Sequence, residues 1–272
     1  MTIDIDWRTA WIAEQEHRGR SDDATRWDER SANYAKVSGT SSYASTFLDY
    51  AAVREGETVL DMGCGSGALA LPLAQDGHEV YACDFSRGML DALMETAFRL
   101  GVNEHVHPML LAWDDDWTTA GVPICDVALA SRSIATGDMQ AALAKLDEHA
   151  RRRVCITLTT GLSPRVDPVL LDAIGREQPR YPDCVFAFNI LWGMGVHPEL
   201  SYIDSSRQSR FGSFDEAIDK TCDAMGATDE ERERLIAYSR QHLHQVHDAD
   251  GGTCWEYDHT RVTPWAFFAW DK

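Results

Sequence analysis

The sequence predicts a doubly wound α/β fold. A mostly parallel, seven-stranded sheet carries helices on both faces, with an N-terminal helical lid over 1–56 and a helical insertion at about 162–200. Three observations predict this. Apolar runs of strand length alternate with amphipathic runs of helical length between residues 57 and 161, the rhythm of βαβ units. Three glycines, Gly63, Gly65 and Gly67, alternate at the first strand-to-helix junction. On either side of 57–161 the strict alternation is lost and helical spacing dominates.

Up to residue 56 the pattern is helical. Trp7, Trp11 and Ile12 share one face, Trp27, Ser31 and Tyr34 a second, and Tyr43, Phe47 and Tyr50 a third. Arg54 to Thr58 is a turn. "TVLDM" is a short apolar strand and "GALALPLAQDG" a helix closed by Gly77. "HEVYACD" is the second strand. "SRGMLDALMETAFRLGV" is the next helix, with Ser86 as N-cap and Gly101 as stop. "VHPMLLAW" and "CDVALASRSI" are strands three and four, "DMQAALAKLDEHA" a helix, and "RRRVCITLTTG" strand five. Beyond Gly161, "SPRVDPVLLDAIG" and "DCVFAFNILWGMG" read as two helices of an insertion. "LSYIDSSRQSRF" reads as a strand, "SFDEAIDKTCDAMG" and "TDEERERLIAYSRQHL" as helices, and "TPWAFFAWDK" as the last strand.

Composition narrows the partners. The 272 residues, 44% of them hydrophobic, suffice for one large domain or a core with an appended cap. Against 25 basic side chains stand 44 acidic ones, a formal charge of −19. Such a surface repels polyanions, so neither nucleic acid nor an anionic membrane is an expected partner; a small-molecule substrate is. The one basic cluster, Arg151-Arg152-Arg153, reads as a solvated lead-in to strand five. The seven cysteines are scattered, and none form a C-x-x-C pair. That pattern predicts reduced thiols, a cytoplasmic setting and no zinc knuckle. The first twenty residues carry acids and no apolar core, so no signal peptide is expected. No apolar run approaches membrane-spanning length.

The glycine junction has three readings. Gly63-x-Gly65-x-x-Ala68 fits the loose dinucleotide pattern, in which a pyrophosphate sits on the helix N-terminus. It also fits a tight turn that holds no ligand. The acids at Asp61 and Asp84, closing the first and second strands, favour a third. "VLDMGCGSG" followed by that second acid resembles the class I S-adenosylmethionine-dependent methyltransferases, over roughly Val59 to Gly161.

That resemblance implies a Rossmann-like methyltransferase fold with S-adenosyl-L-methionine as cofactor. It implies that Asp61, Gly63, Cys64, Gly65 and Gly67 form the loop against the methionine and ribose parts. Asp84 would take both ribose hydroxyls, a vicinal diol suited to a two-oxygen carboxylate, with Phe85 and Met89 flanking adenine or ribose. After strand three the family carries an acid that takes the adenine amino group. Here Ala112 occupies that register and Trp113 the next, so Asp114 substitutes or backbone alone reads the ring. Trp113 stacks on the ring or is simple core.

Acceptor chemistry belongs at the carboxyl ends of strands four and five. Strand four ends in Ser131, Arg132 and Ser133, not in the Asn-Pro-Pro-Tyr of many amide methyltransferases. Ser131 is expected beside the cofactor. Arg132 would hold a substrate carboxylate or phosphate, or pair with an acid. Tyr34, with Trp27 seven residues before it, would close over the sulfonium from the lid, or both aromatics pack the core. Asn189, Trp192, Met194 and His197 are candidate pocket residues, and of these His197 is the one plausible base. His242, His244 and His247 invite a metal, but no acid or Cys completes a set and none is expected. Cys155 lies inside strand five and reads as core. The expected activity is in-line methyl transfer to an O, N or C atom of a small molecule. A non-catalytic cofactor-binding module and a nicotinamide-dependent oxidoreductase are the alternatives.

Overall fold

Polar caps and glycine stops set most helix ends in the structure, a computed structural model that describes residues 5–19, 27–28, 41–134, 136–162, 164, 166–247 and 252–272. Helix α1 (Trp7–Arg18) begins where the Asp6 carboxylate accepts the Thr9 N–H, and it ends at left-handed Gly19. Helix α2 (Ser42–Ala51) is capped by Ser41. Strand β1 (Val59–Met62), helix α3 (Ala70–Gln75) and strand β2 (Val80–Asp84) follow. Helix α4 (Arg87–Leu100) is capped by Ser86 and stopped by Gly101, as its sequence requires. Then come β3 (Val106–Leu110), β4 (Cys125–Ser131), α5 (Met139–Glu148) and β5 (Ala150–Thr159).

The rest of the chain contributes β6 (Gly161–Leu162), α6 (Pro168–Ile174), β7 (Arg180–Tyr181), α7 (Asp183–Gly193) and β8 (Glu199–Arg207). After these come β9 (Arg210–Phe211), α8 (Phe214–Met225), α9 (Asp229–His242), β10 (Leu243–His247), β11 (Thr253–Tyr257) and β12 (Arg261–Asp271).

Seven strands make one sheet in the order β3-β2-β1-β4-β5-β12-β8. The pairs β1–β2, β1–β4, β2–β3 and β4–β5 are all parallel. The Lys272 N–H donates to the Arg152 carbonyl at 2.8 Å, so the end of β12 lies at the start of β5 and the two strands run oppositely. Strand order reverses between β1 and β4. In such sheets the ligand crevice opens beyond the carboxyl ends at that reversal.

The chain divides into two compact units, 1–158 with 183–203 and 266–272, and 159–182 with 204–265. In the first, Leu60, Ala128 and Ile156 on the central strands pack with Leu143 and Leu146 of α5 and Phe268 of β12. Trp11 is buried on α1, edge-on to Phe186 of α7 at 5.5 Å, and its Nε1–H donates to the Thr136 carbonyl. Helix α7, which the sequence reading puts in the insertion, packs here against α1 and α5.

Arg151 of the arginine triplet is exposed as expected, but Arg152 and Arg153 are a correction. Arg152 pairs with Glu57, and the largely buried Arg153 meets Asp271 at 2.9 Å and Glu199 at 3.2 Å. These side chains tie strand ends together instead of standing in solvent.

In the second unit Leu170, Leu171, Ala217, Ile218, Leu235 and Tyr257 form a separate core. The three-histidine stretch is not one helix. His242 ends α9, and His244 and His247 lie on β10, which pairs with β11 in an antiparallel hairpin. Helical spacing over 229–242 hides the switch to strand period that follows. Among the described residues no group of His, Cys, Asp and Glu is placed to hold a metal ion.

Candidate functional site

The crevice is built by the turn from β1 into α3. The N–H groups of Gly63 and Cys64 both donate to the Cys83 carbonyl, at 2.7 and 3.0 Å, and so fold the turn over the end of β2. The three glycines do different jobs. A Cβ on Gly63 (φ +75°) would lie 2.2 Å from Ser133 Cβ, and one on Gly67 (φ +92°) 2.4 Å from Leu93 Cδ1. Both are glycines for packing. Gly65, at φ +54°, has nothing within 4 Å of the same point, so its bare backbone faces open space.

Gly63→Ala is therefore expected to cost about 2–3 kcal/mol through overpacking and left-handed strain. Ser133 cannot easily give way, because its Oγ donates to the Met62 carbonyl at 2.6 Å. Gly65→Ala should cost only about 1 kcal/mol, the strain alone. Urea unfolding of the two variants checks the contrast.

Two carboxylates flank this turn. Asp84 Oδ2 accepts the Gly65 N–H at 2.8 Å and Oδ1 accepts the Ser86 N–H at 2.9 Å. Each oxygen keeps a free lone pair, which is the capacity a vicinal diol needs. Burial raises the Asp84 pKa, and these backbone donors partly offset it. Asp61 is 2% exposed, and its Oδ2 is buried without a hydrogen-bond partner. Burial first, and the charge of Asp84 second, push the Asp61 carboxyl up to about 7, opposed by the Ala70 N–H. Asp84 has N–H donors on both oxygens to favour its charged form, whereas Asp61 Oδ2 has none.

The other expected contacts cluster less evenly. Cys64 is buried in the loop, Phe85 is half-buried after Asp84, and Met89 is buried with its N–H bonded to Ser86 Oγ. Trp113 is half-buried beside Trp117, and its Nε1–H donates to the Ser133 carbonyl at 2.8 Å. That bond ties the loop after β3 to the loop after β4. Asp114 is exposed and accepts from Thr136 Oγ1 at 3.2 Å.

At the ends of β4 and β5 the structure adds a residue that helical spacing marks only as an apolar-face position. The buried Tyr43 hydroxyl bonds Ser131 Oγ at 2.9 Å and Thr157 Oγ1 at 2.7 Å. Ser131 thus holds Tyr43. The exposed Arg132 has a left-handed φ of +57° and places its guanidinium 4.0 Å from the Tyr43 ring centroid. Tyr43→Phe should lose about 1–2 kcal/mol of stability by leaving two buried hydroxyls short of a partner, checked by thermal unfolding.

His197 is not brought to this crevice. It is exposed, edge-on to Trp192 at 4.2 Å, and two residues before Glu199, which meets Arg153 near the start of β5. The glycine turn follows the opposite, carboxyl end of the parallel strands. Asn189 bonds the Val185 carbonyl within its own helix, and Met194 packs against the core. Tyr34 lies outside the described residues. Asp28, just after Trp27, is a contact the sequence does not signal. It accepts from Ser86 Oγ at 2.5 Å and from the Gly88 N–H at 2.9 Å, beside Asp84.

This donor set fits S-adenosylmethionine. An orphaned buried carboxylate oxygen suits a cationic amino-acid tail, a bare glycine admits it, and Asp84 suits a sugar diol. A pyrophosphate would meet two acids and be repelled, which disfavours a dinucleotide.

Comparison with known proteins agrees. Residues 59–153 match the methyltransferase domain family. An uncharacterized protein of Haemophilus influenzae is 36% identical over 182 residues, 66% of each chain. A demethylmenaquinone methyltransferase of Beutenbergia cavernae is 49% identical over 43 residues, 16% of this chain and 18% of that one. The chain therefore spans just under two thirds of the first relative's length and a small part of the second's. A solved structure of a candidate methyltransferase from Bacillus halodurans C-125 superposes with a TM-score of 0.52 at 13% identity, covering 85% of this chain and 99% of that one. It shares the fold. With the domain match, the sheet order and the acid-flanked glycine turn together, residues 59–153 belong to the class I S-adenosylmethionine-dependent methyltransferase family.

Proposed function

We propose that this protein transfers the methyl group of S-adenosylmethionine to an O, N or C atom of a small molecule. The observation that carries this reading is the pair Asp61 and Asp84 around the open Gly65 backbone. When bound, the cofactor supplies a methyl already activated on a cationic sulfur. The chain's work is then alignment, since in-line displacement gains most from fixed geometry. Asp84 orients the ribose, and Asp61 receives the amino-acid tail.

Asp28 is anchored on Ser86 and Gly88 at the α4 N-terminus, on the rim of the crevice beside Asp84. Arg132 and Tyr43 stand at the acceptor side, where the ends of β4 and β5 meet. Supporting a small acceptor is the charge of −19, which opposes RNA. Unbridged cysteines support a cytoplasmic setting. Among the described residues no helix is long and apolar enough to cross a membrane.

The test is transfer of labelled methyl into cell extract split into low-mass, RNA and protein fractions. Label in the low-mass fraction is expected. Label confined to RNA or protein would overturn the small-molecule reading, and no transfer to any fraction would favour a binding module.

A further inference from the structure

Arginines in this acidic chain find carboxylates. Arg18, Arg152, Arg153, Arg176 and Arg232, the other arginines kept partly or wholly from solvent among the described residues, each pair with an acid. Arg261 breaks the pattern. It is partly buried at the start of β12, and its guanidinium makes no hydrogen bond or ion pair with any described residue.

The charged group that acts on it most strongly is another cation, Arg207. Strands β8 and β12 are hydrogen-bonded neighbours in the sheet. At their joined ends Gln208 Nε2 donates to the Tyr257 carbonyl at 2.7 Å, and Gln208 Oε1 accepts from Thr260 Oγ1 at 2.8 Å. Gln208 follows Arg207 and Thr260 precedes Arg261, so this clamp sets the two arginines side by side. Burial first and the Arg207 charge second both lower the Arg261 pKa. The acid that opposes them, Asp167, is committed elsewhere. Its Oδ1 caps α6 through the Val169 N–H at 3.0 Å, and its Oδ2 meets His259 Nε2 at 3.0 Å.

Two like charges held together on adjacent strands destabilise a sheet unless something between them compensates. Among the described residues the acid that opposes them is Asp167, whose two oxygens are already bonded to Val169 and His259. We propose that Arg207 and Arg261 form a binding site for an anionic oxygen group of a ligand, a carboxylate or a phosphate. Paired guanidinium forks match the geometry of either group. The site lies wholly within the second unit and is distinct from the glycine crevice.

The experiment titrates the full-length chain with inorganic phosphate and, separately, acetate, at fixed ionic strength against chloride, following thermal unfolding. At least one of the two anions should raise the wild-type midpoint in a saturable way, and which one acts assigns phosphate or carboxylate. Arg261→Gln and Arg207→Gln should each weaken that response at least tenfold. In chloride, Arg261→Gln should unfold no earlier than wild type, because no ion pair is lost. A wild-type response no larger than chloride's would overturn the site. So would an undiminished response in Arg261→Gln, or an earlier midpoint for that variant in chloride, which would mark a structural arginine. The titration needs neither cofactor nor turnover, so its failure leaves the methyltransferase reading intact.

Discussion

Asp84→Ala is expected to weaken S-adenosylmethionine binding by at least about 2 kcal/mol, roughly 30-fold in Kd. The carboxylate is 5% exposed and fixed by two backbone N–H donors, so its free lone pairs are aimed before any ligand arrives. Removing it leaves two ribose hydroxyls unpaired in a buried place, and that desolvation is the larger part of the loss. The same change frees the Gly65 N–H, which loosens the turn. Asp84→Asn separates the two effects, since it keeps an acceptor for one N–H but loses the charge-assisted bonds. Calorimetric titration of both variants is the check. Unchanged affinity in Asp84→Ala would remove this residue from the site.

Asp61→Asn is expected to make the cofactor-free protein more stable at pH 8 and to change little at pH 4. The folded carboxyl titrates at about 7 against an ordinary 3.8. The native state therefore binds more protons than the unfolded state between those values, and stability falls as pH rises through the window. Full ionisation above pH 7 costs up to about 4 kcal/mol, from roughly three pK units at 1.36 kcal/mol each. The asparagine amide carries no charge, so it escapes this cost. Binding moves the other way. A cationic ligand tail is drawn to the ionised carboxylate, so Asp61→Asn should bind S-adenosylmethionine more weakly than wild type at pH 8. Unfolding curves at the two pH values, with and without cofactor, read both signs. A wild-type protein whose stability does not decline between pH 4 and 7 relative to Asp61→Asn would refute the buried-acid account.

The sequence carries the parts of this fold that depend on local rules. Ser86 and Gly101 bound α4 because a hydroxyl cap and a left-handed stop are single-residue properties. The glycine turn and its two acids are legible because strand, glycine and acid succeed each other within twenty-six residues. What the glycines do individually is not. Gly63 and Gly67 are dictated by Ser133 and Leu93, far along the chain, whereas Gly65 faces open space.

The same limit explains the misplaced catalytic side. His197 has the right chemistry for a base, but the strand that follows it starts at the amino edge of the sheet, a matter of topology and not of residue type. Tyr43 shows the converse. Helical spacing marks its face as apolar, and nothing local announces a hydroxyl that joins Ser131 to Thr157. Asp28 is an acid among 44, distinguished only by reaching Ser86 and Gly88 some sixty residues on.

The most direct measurement is calorimetric titration of the full chain with S-adenosylhomocysteine, run beside an identical titration with NAD. One-to-one binding of the first, abolished or strongly weakened in Asp84→Ala, with no heat from the second, is the predicted result. Saturable binding of NAD with no response to S-adenosylhomocysteine would contradict the assignment of the glycine crevice.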